Sequence, residues 1–144
     1  MPTTLAVLVH AAATLAMTGL IWFVQIVHYP LFARVGPDGF AAYAHQHTRR
    51  TGYVVGPLML MEAATALLLL VLLRDQPLVW TGLALLALIW GSTFLVQVPH
   101  HRRLATGFDR VIHPRLVLTN WVRTVAWTLR AGIALAILFE LMQG

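Results

Sequence analysis

Four long apolar stretches constrain the fold of this chain more than any other feature. They cover about residues 5–27, 53–73, 78–98 and 116–142, and each is about 20 residues or longer. A helix of about 20 residues crosses a hydrocarbon core of about 30 Å, because each residue adds about 1.5 Å. No stretch alternates as a barrel strand does, and open sheet edges cannot face lipid. The sequence therefore predicts an all-α polytopic membrane protein, a single four-helix bundle with helices at about 5–28, 52–73, 78–98 and 116–142.

The composition restricts the possible functions. The chain is 59% hydrophobic and 10% charged, which is far from the composition of a soluble domain. It contains no cysteine, which excludes disulfides, thiolate ligands and dithiol chemistry. The net charge is +5, but no soluble basic face with interleaved aromatics accompanies it. We therefore expect the basic residues to contact anionic lipid heads and expect no nucleic-acid partner.

The distribution of arginines predicts the orientation in the membrane. Only Arg74 lies in the second predicted loop, whereas the first and third loops contain Arg34, Arg49, Arg50, Arg102, Arg103, Arg110 and Arg115. The positive-inside rule then places loops one and three in the cytoplasm and both termini outside, in a bacterial inner membrane. The first apolar stretch lacks a charged start and contains Gln25 and His28, so we expect it to be retained and not cleaved as a signal peptide.

A short pattern occurs twice and suggests two related halves. Gln25-Ile-Val-His28 and Gln97-Val-Pro-His100 lie 72 positions apart, and Arg-Thr pairs follow in the second helix of each half, at Arg50-Thr51 and Arg123-Thr124. Each half is then a two-helix hairpin that crosses the membrane in the same sense. A chance match among apolar residues is the alternative. Loop one, about residues 32–51, is expected to contain at most a short interfacial helix, and Pro57 is expected to weaken or kink the second helix.

Charged residues lie deep in two of the predicted helices. Two arginines of the fourth helix, Arg123 and Arg130, lie on one face with Asn120 and Trp127. Measured from the cytoplasmic face, Glu62 lies at a depth of roughly 16 Å and Arg130 at roughly 20 Å. We therefore predict that Glu62 pairs with Arg130, Arg123 or both, since unpaired charge inside a membrane is costly. Such a network either locks the bundle or lines a cavity for a polar or anionic group.

Seven histidines raise the question of a metal or haem site. Neutral imidazole is a ligand for zinc, copper and iron, and two histidines on facing helices can hold a haem. His28 and His100 form the best pair, because the repeat places them at similar depths. Other histidines that could complete a transition-metal cluster are His101, His45, His47 and His113. Simple polar anchoring at the membrane interface is the alternative.

Three segments carry a resemblance to a known family. They are Val27-His28-Tyr29-Pro30-Leu31-Phe32, Val96-Gln97-Val98-Pro99-His100-His101-Arg102-Arg103-Leu104 and Asn120-Trp121-Val122-Arg123-Thr124. These segments resemble the anthrone-oxygenase-like family of small four-helix membrane proteins, which has a proline after its first helix and an Asn-x-x-Arg-Thr motif in its fourth. The resemblance implies the oxidation of a lipophilic aromatic compound by dioxygen.

If that reaction is correct, roles can be assigned to the polar residues. Preorganised donors on Arg123 and Asn120 would stabilise a phenolate or enolate oxygen. His28 or His100 would take or relay a proton, or bind a metal. The complete catalytic set is His28, His100, Arg123 and Glu62. The substrate-binding set is Gln25, Gln97, Asn120, Trp127, Arg130 and Trp90, with Trp22 as a further aromatic contact.

The sequence thus favours a membrane-embedded oxidoreductase or oxygenase that acts on a lipophilic aromatic small molecule. Two other functions stay open. One is a non-catalytic subunit that packs within a larger membrane complex or a homo-oligomer. The other is a b-type haem protein, or another metal-binding membrane protein, that carries electrons.

Overall fold

A computed structural model describes residues 2–143 of the chain. In this range the backbone forms four long helices and no strand: α1 (Pro2–Arg34), α2 (Pro37–Leu72), α3 (Pro77–Leu104) and α4 (Ile112–Gln143). All four are long and apolar enough to cross a membrane. The predicted all-α four-helix membrane bundle is therefore confirmed.

The helices are not packed equally closely. Helix α1 packs along both α2 and α4, and α3 packs mainly along α4, whereas α2 and α3 contact each other less extensively. Large apolar side chains cover the outside of the bundle, with Leu95 79% exposed and Val71 75% exposed. This is the surface expected where the surroundings are lipid, since apolar groups there do not meet water. The side between α2 and α3 is the loosest part of the bundle.

Helix α2 begins much earlier than predicted. Residues 37–51, which the sequence analysis assigned to loop one, are helical, so the expected isolated interfacial helix is wrong. The reason is a buried stripe that continues through this region: Phe40, Ala44 and His47 precede Met59 and Glu62 on the same helix. At 36 residues, α2 is about 54 Å long and extends well beyond a hydrocarbon core. The helix passes through Pro57 without interruption.

The first and third connections lie together at one end of the bundle, called here the arginine-rich end because Arg34, Arg103 and Arg110 lie in or beside them. The ring of Phe40, near the start of α2, packs 5.0 Å from the ring of Phe108 in the third connection. Asp109 caps α4 there, because its Oδ1 accepts hydrogen bonds from the backbone N–H groups of Ile112 at 3.0 Å and Val111 at 2.8 Å. These hydrogen bonds hold the pKa of Asp109 below its usual value.

Helices α1 and α3 each contain one π-helical turn, Val24–His28 in α1 and Thr93–Gln97 in α3. Such turns insert an extra residue into a helix and occur often at functional sites. Each turn carries one glutamine of the repeated pattern, and both Gln25 and Gln97 are buried. The π-helical turns thus contribute polar side chains from α1 and α3 to the interior of the bundle.

Candidate functional site

A cavity of about 150 Å³ lies between the four helices, toward the arginine-rich end. Its wall is mostly apolar with several polar groups. The lining residues are Met17, Leu20, Ile21, Val24, Tyr29, His47, Thr48, Thr51, Gly52, Val55, Thr93, Gln97, Val98, His101 and Arg123.

Arg123 is the only residue of α4 that lines this cavity, and it is 6% exposed. Its Nη1 donates a hydrogen bond to Asn120 Oδ1 at 3.3 Å, and its guanidinium lies 5.2 Å from the ring of Trp127. In residues 2–143 no carboxylate forms an ion pair with Arg123, and its Nε is buried without a hydrogen-bond partner. Arg123 is therefore a buried cation beside the cavity, and among the described residues only one of its five N–H groups has a hydrogen-bond partner.

A chain of buried amides holds Arg123 in place. Asn120 Nδ2 donates to Gln25 Oε1 at 2.9 Å, and Gln25 Nε2 donates to the Val117 carbonyl at 3.1 Å. A guanidinium only donates and a carbonyl only accepts, so the orientation of both amides is determined by the ends of the chain. Gln25 and Asn120 therefore position Arg123 and do not themselves line the cavity.

We expect Gln25→Met to destabilise the protein by about 1–3 kcal/mol, because buried polar groups of α4 lose their partner. The free energy of unfolding in detergent, measured by denaturant titration, checks this. The matched control is Gln46→Met, at an exposed position of α2, for which we expect a change within about 0.5 kcal/mol. Equal stability of the two variants would contradict the role given to Gln25.

Gln97, which lines the same cavity, carries a buried acceptor that lacks a partner in the described part of the chain. Its Nε2 donates to Thr119 Oγ1 at 3.0 Å, and the Thr119 hydroxyl in turn donates to the Arg115 carbonyl at 2.6 Å. Because the hydroxyl proton is already used, Thr119 can only accept from Gln97, which determines the orientation of the amide. Gln97 Oε1 is buried without a partner, in a residue that is 1% exposed. Two residues that line the cavity, Arg123 and Gln97, thus each carry a buried polar atom that has no partner within residues 2–143.

Two histidines that line the cavity belong to hydrogen-bonded pairs. The Tyr29 hydroxyl lies 2.8 Å from His101 Nε2, and His28 Nε2 lies 2.7 Å from His47 Nδ1. The rings of His47 and His101 are 5.4 Å apart. These groups can accept and pass on a proton, because imidazole and phenol both gain and lose protons by hydrogen bonds.

The structure separates the histidines proposed for a metal. His45 is exposed on α2, and His100 does not line the cavity. Within the described range, no group of three or more His, Asp or Glu is arranged to hold a metal ion. A haem between His28 and His100 also fits poorly, since His28 Nε2 is bonded to His47 and the cavity has room for about one ring.

Glu62 forms the predicted pair with Arg130, deeper in the bundle than the cavity. Arg130 Nε donates to Glu62 Oε1 at 3.0 Å, and its Nη1 donates to the Gly82 carbonyl. Thr14 Oγ1 donates to Glu62 Oε1 at 3.0 Å and Trp127 Nε1 donates to Oε2 at 3.0 Å. Neither Glu62 nor Arg130 lines the cavity. This geometry agrees with the first of the two alternatives, a network that holds the helices of the bundle together. Arg123 is not a partner of Glu62.

The tryptophans expected to pack on a substrate lie elsewhere. Trp127 is buried between Glu62 and Arg123, and Trp22 donates to Thr128 on the outside of the bundle. The ring of Trp90 packs against the ring of Phe94 in a tilted arrangement. None of the three lines the cavity, whose apolar wall is aliphatic apart from Tyr29 and the histidines.

Among the polar residues that line the cavity, the sequence analysis did not select Tyr29, Thr48 or Thr51, and it named His47 only as a possible metal ligand. A usable signal was present. His47, Thr51 and Val55 are spaced by four residues and lie on one face of a helix, if α2 is continued into the presumed loop.

Comparisons of the chain with protein families, with characterised proteins and with solved structures find no match.

Proposed function

We propose that this integral membrane protein is an oxidoreductase or oxygenase that oxidises a lipophilic phenol or enol with dioxygen. The observation that supports this most strongly is Arg123, a buried cation that lines an apolar cavity and has no carboxylate partner within residues 2–143. A buried unpaired charge is costly, and an anionic ligand would remove much of that cost. An ionised hydroxyl on an apolar ring fits both the charge and the wall.

The remaining polar groups supply a route for the proton. A substrate hydroxyl at Arg123 can transfer its proton to His101 or His47, both of which line the cavity. Tyr29 and His28, which are hydrogen-bonded to these histidines, can carry the proton further. Arg123 then stabilises the oxyanion that remains, as preorganised donors do in a water-poor site.

The resulting anion is electron-rich and reacts with dioxygen. For a dihydroxybenzene, two electrons and two protons pass to dioxygen, which gives a quinone and hydrogen peroxide. For a methylene group next to the anion, one oxygen atom replaces the two hydrogens as a carbonyl and the other leaves as water. The resemblance to the anthrone-oxygenase-like family supports this class of reaction.

The proposed setting is a bacterial inner membrane with the arginine-rich end in the cytoplasm. Arg49, Arg102 and Arg110 are exposed at that end, as the positive-inside rule requires of cytoplasmic segments. The cavity then opens near the cytoplasmic leaflet.

We expect His101→Gln to lower turnover by about 10²–10⁴-fold, because it removes the imidazole that accepts the substrate proton. Dioxygen uptake by the protein in nanodiscs, with anthrone and with 4-dodecylcatechol as probes, measures this after subtraction of the uncatalysed rate. The control is His45→Gln at an exposed position, which we expect to keep full activity. The proposal fails if wild-type protein accelerates uptake with neither probe, or if both variants behave as wild type.

A further inference from the structure

The cavity is the size of one aromatic ring. Its volume of about 150 Å³ is comparable to an engineered apolar cavity, also about 150 Å³, that binds benzene. A fused three-ring molecule does not fit inside a space of this size. A single-ring head group does, provided that the rest of the ligand leaves through an opening.

Such an opening lies on the side of α2 that faces α3. Thr48 and Gly52 line the cavity and are also exposed on the outside of the bundle, so the wall is thin at this point. Helices α2 and α3 contact each other less extensively than the other neighbouring pairs that line the cavity. At Gly52 an added Cβ would meet no heavy atom within 4 Å. A side chain at position 52 would therefore enter open space at the edge of the cavity.

Two buried atoms of residues that line the cavity have no partner in the described range, and they define the head group. Gln97 Oε1 needs a hydrogen-bond donor, and Arg123 Nε needs an acceptor. Both side chains are more than nine-tenths buried, and leaving such atoms unpaired is unfavourable. A ring that carries an O–H group and a second, preferably ionised, oxygen satisfies both atoms at once.

We propose that Gly52 marks a lateral portal through which the protein takes a tailed, single-ring dihydroxybenzene from the bilayer. The head donates to Gln97 Oε1 and accepts from Arg123 Nε, while the alkyl tail lies in the gap between α2 and α3. This inference rests on the proposed function, since it names the substrate class of the same site.

Anaerobic binding in nanodiscs tests the portal without any oxidation. The probes are 4-dodecylcatechol, its dimethyl ether, which has no O–H, and catechol, which has no tail. We expect wild-type protein to bind 4-dodecylcatechol at least tenfold more tightly than either comparison compound. Gly52→Leu fills the gap, and we expect it to weaken binding of 4-dodecylcatechol at least tenfold, with Gly52→Ala intermediate and catechol binding unchanged.

The control is Gly132→Leu on α4, an exposed glycine with equal free space that does not line the cavity. We expect it to bind all three probes as wild type does. The inference would be overturned if Gly52→Leu bound 4-dodecylcatechol as tightly as the wild-type protein does. It would also be overturned if the wild-type protein bound all three probes with equal affinity. Binding that follows the expected pattern without dioxygen uptake would refute the proposed oxidation and leave the portal standing. Oxidation of 4-dodecylcatechol by Gly52→Leu at the wild-type rate would refute the portal and leave the proposed oxidation standing.

Discussion

Replacement of Arg130 with methionine is expected to destabilise the protein by about 3–5 kcal/mol, the largest loss of stability among the changes considered. The substitution leaves Glu62, which is 0% exposed, as an uncompensated carboxylate in the bundle. It also removes the donor to the Gly82 carbonyl of α3, which ties α3 to α4. Denaturant titration in detergent measures the change in the free energy of unfolding.

The double variant Glu62→Gln with Arg130→Met separates charge from packing. We expect it to recover much of the lost stability, because replacing both members of a buried ion pair often costs little. Arg110→Met, at an exposed arginine, is the matched control and should change stability by less than about 0.5 kcal/mol. If Arg130→Met were no less stable than Arg110→Met, the lock formed by Glu62 and Arg130 would have to be abandoned.

Replacement of Arg123 with glutamine is expected to produce the largest functional loss. Removing a charge-assisted hydrogen bond of about 1.5–3 kcal/mol weakens ligand binding by about 10–100-fold. Removing a donor to the developing oxyanion lowers turnover by about 10²–10³-fold. Anaerobic binding of 4-dodecylcatechol and dioxygen uptake measure the two effects separately.

Stability provides a second readout for the same variant. Because Arg123 is buried without a carboxylate partner, its removal relieves an unpaired charge, and we expect Arg123→Gln to be at least as stable as wild type. Arg110→Gln, at the exposed position, should retain binding and turnover. Wild-type binding and turnover in Arg123→Gln would remove the main support for the proposed function.

The pairing of Glu62 with Arg130 could be predicted because it depends only on regular helix geometry. Both helices start at the same end, and a constant rise of about 1.5 Å per residue gives the two side chains similar depths. The sequence could not decide between Arg130 and Arg123 as the partner, since both lie on one face of α4. That choice depends on how α2 and α4 are rotated toward each other, which is a property of the packed bundle.

The composition of the cavity was harder to predict. His47 and Thr51 were assigned to a loop because polar residues interrupt the apolar pattern, although α2 continues past the hydrocarbon core. The π-helical turn at Thr93–Gln97 changes which residues of α3 face inward, and no local sequence signal announces such a turn. The Thr119 hydroxyl donates to the Arg115 carbonyl and therefore accepts from Gln97 Nε2, which leaves Gln97 Oε1 without a partner among the described residues. These contacts cannot be derived from the sequence.

The most direct test of the central claim is the NMR signal of the Arg123 Nε–H group in nanodiscs, assigned by its loss in Arg123→Gln. This group is buried in a residue that lines the cavity and has no partner among residues 2–143. We expect anaerobic addition of 4-dodecylcatechol to shift the signal strongly downfield, because a charge-assisted hydrogen bond forms to the ligand oxygen. The dimethyl ether should leave it nearly unchanged. A signal that stays in place while bound 4-dodecylcatechol perturbs other residues would contradict the assignment of this cavity as the binding site.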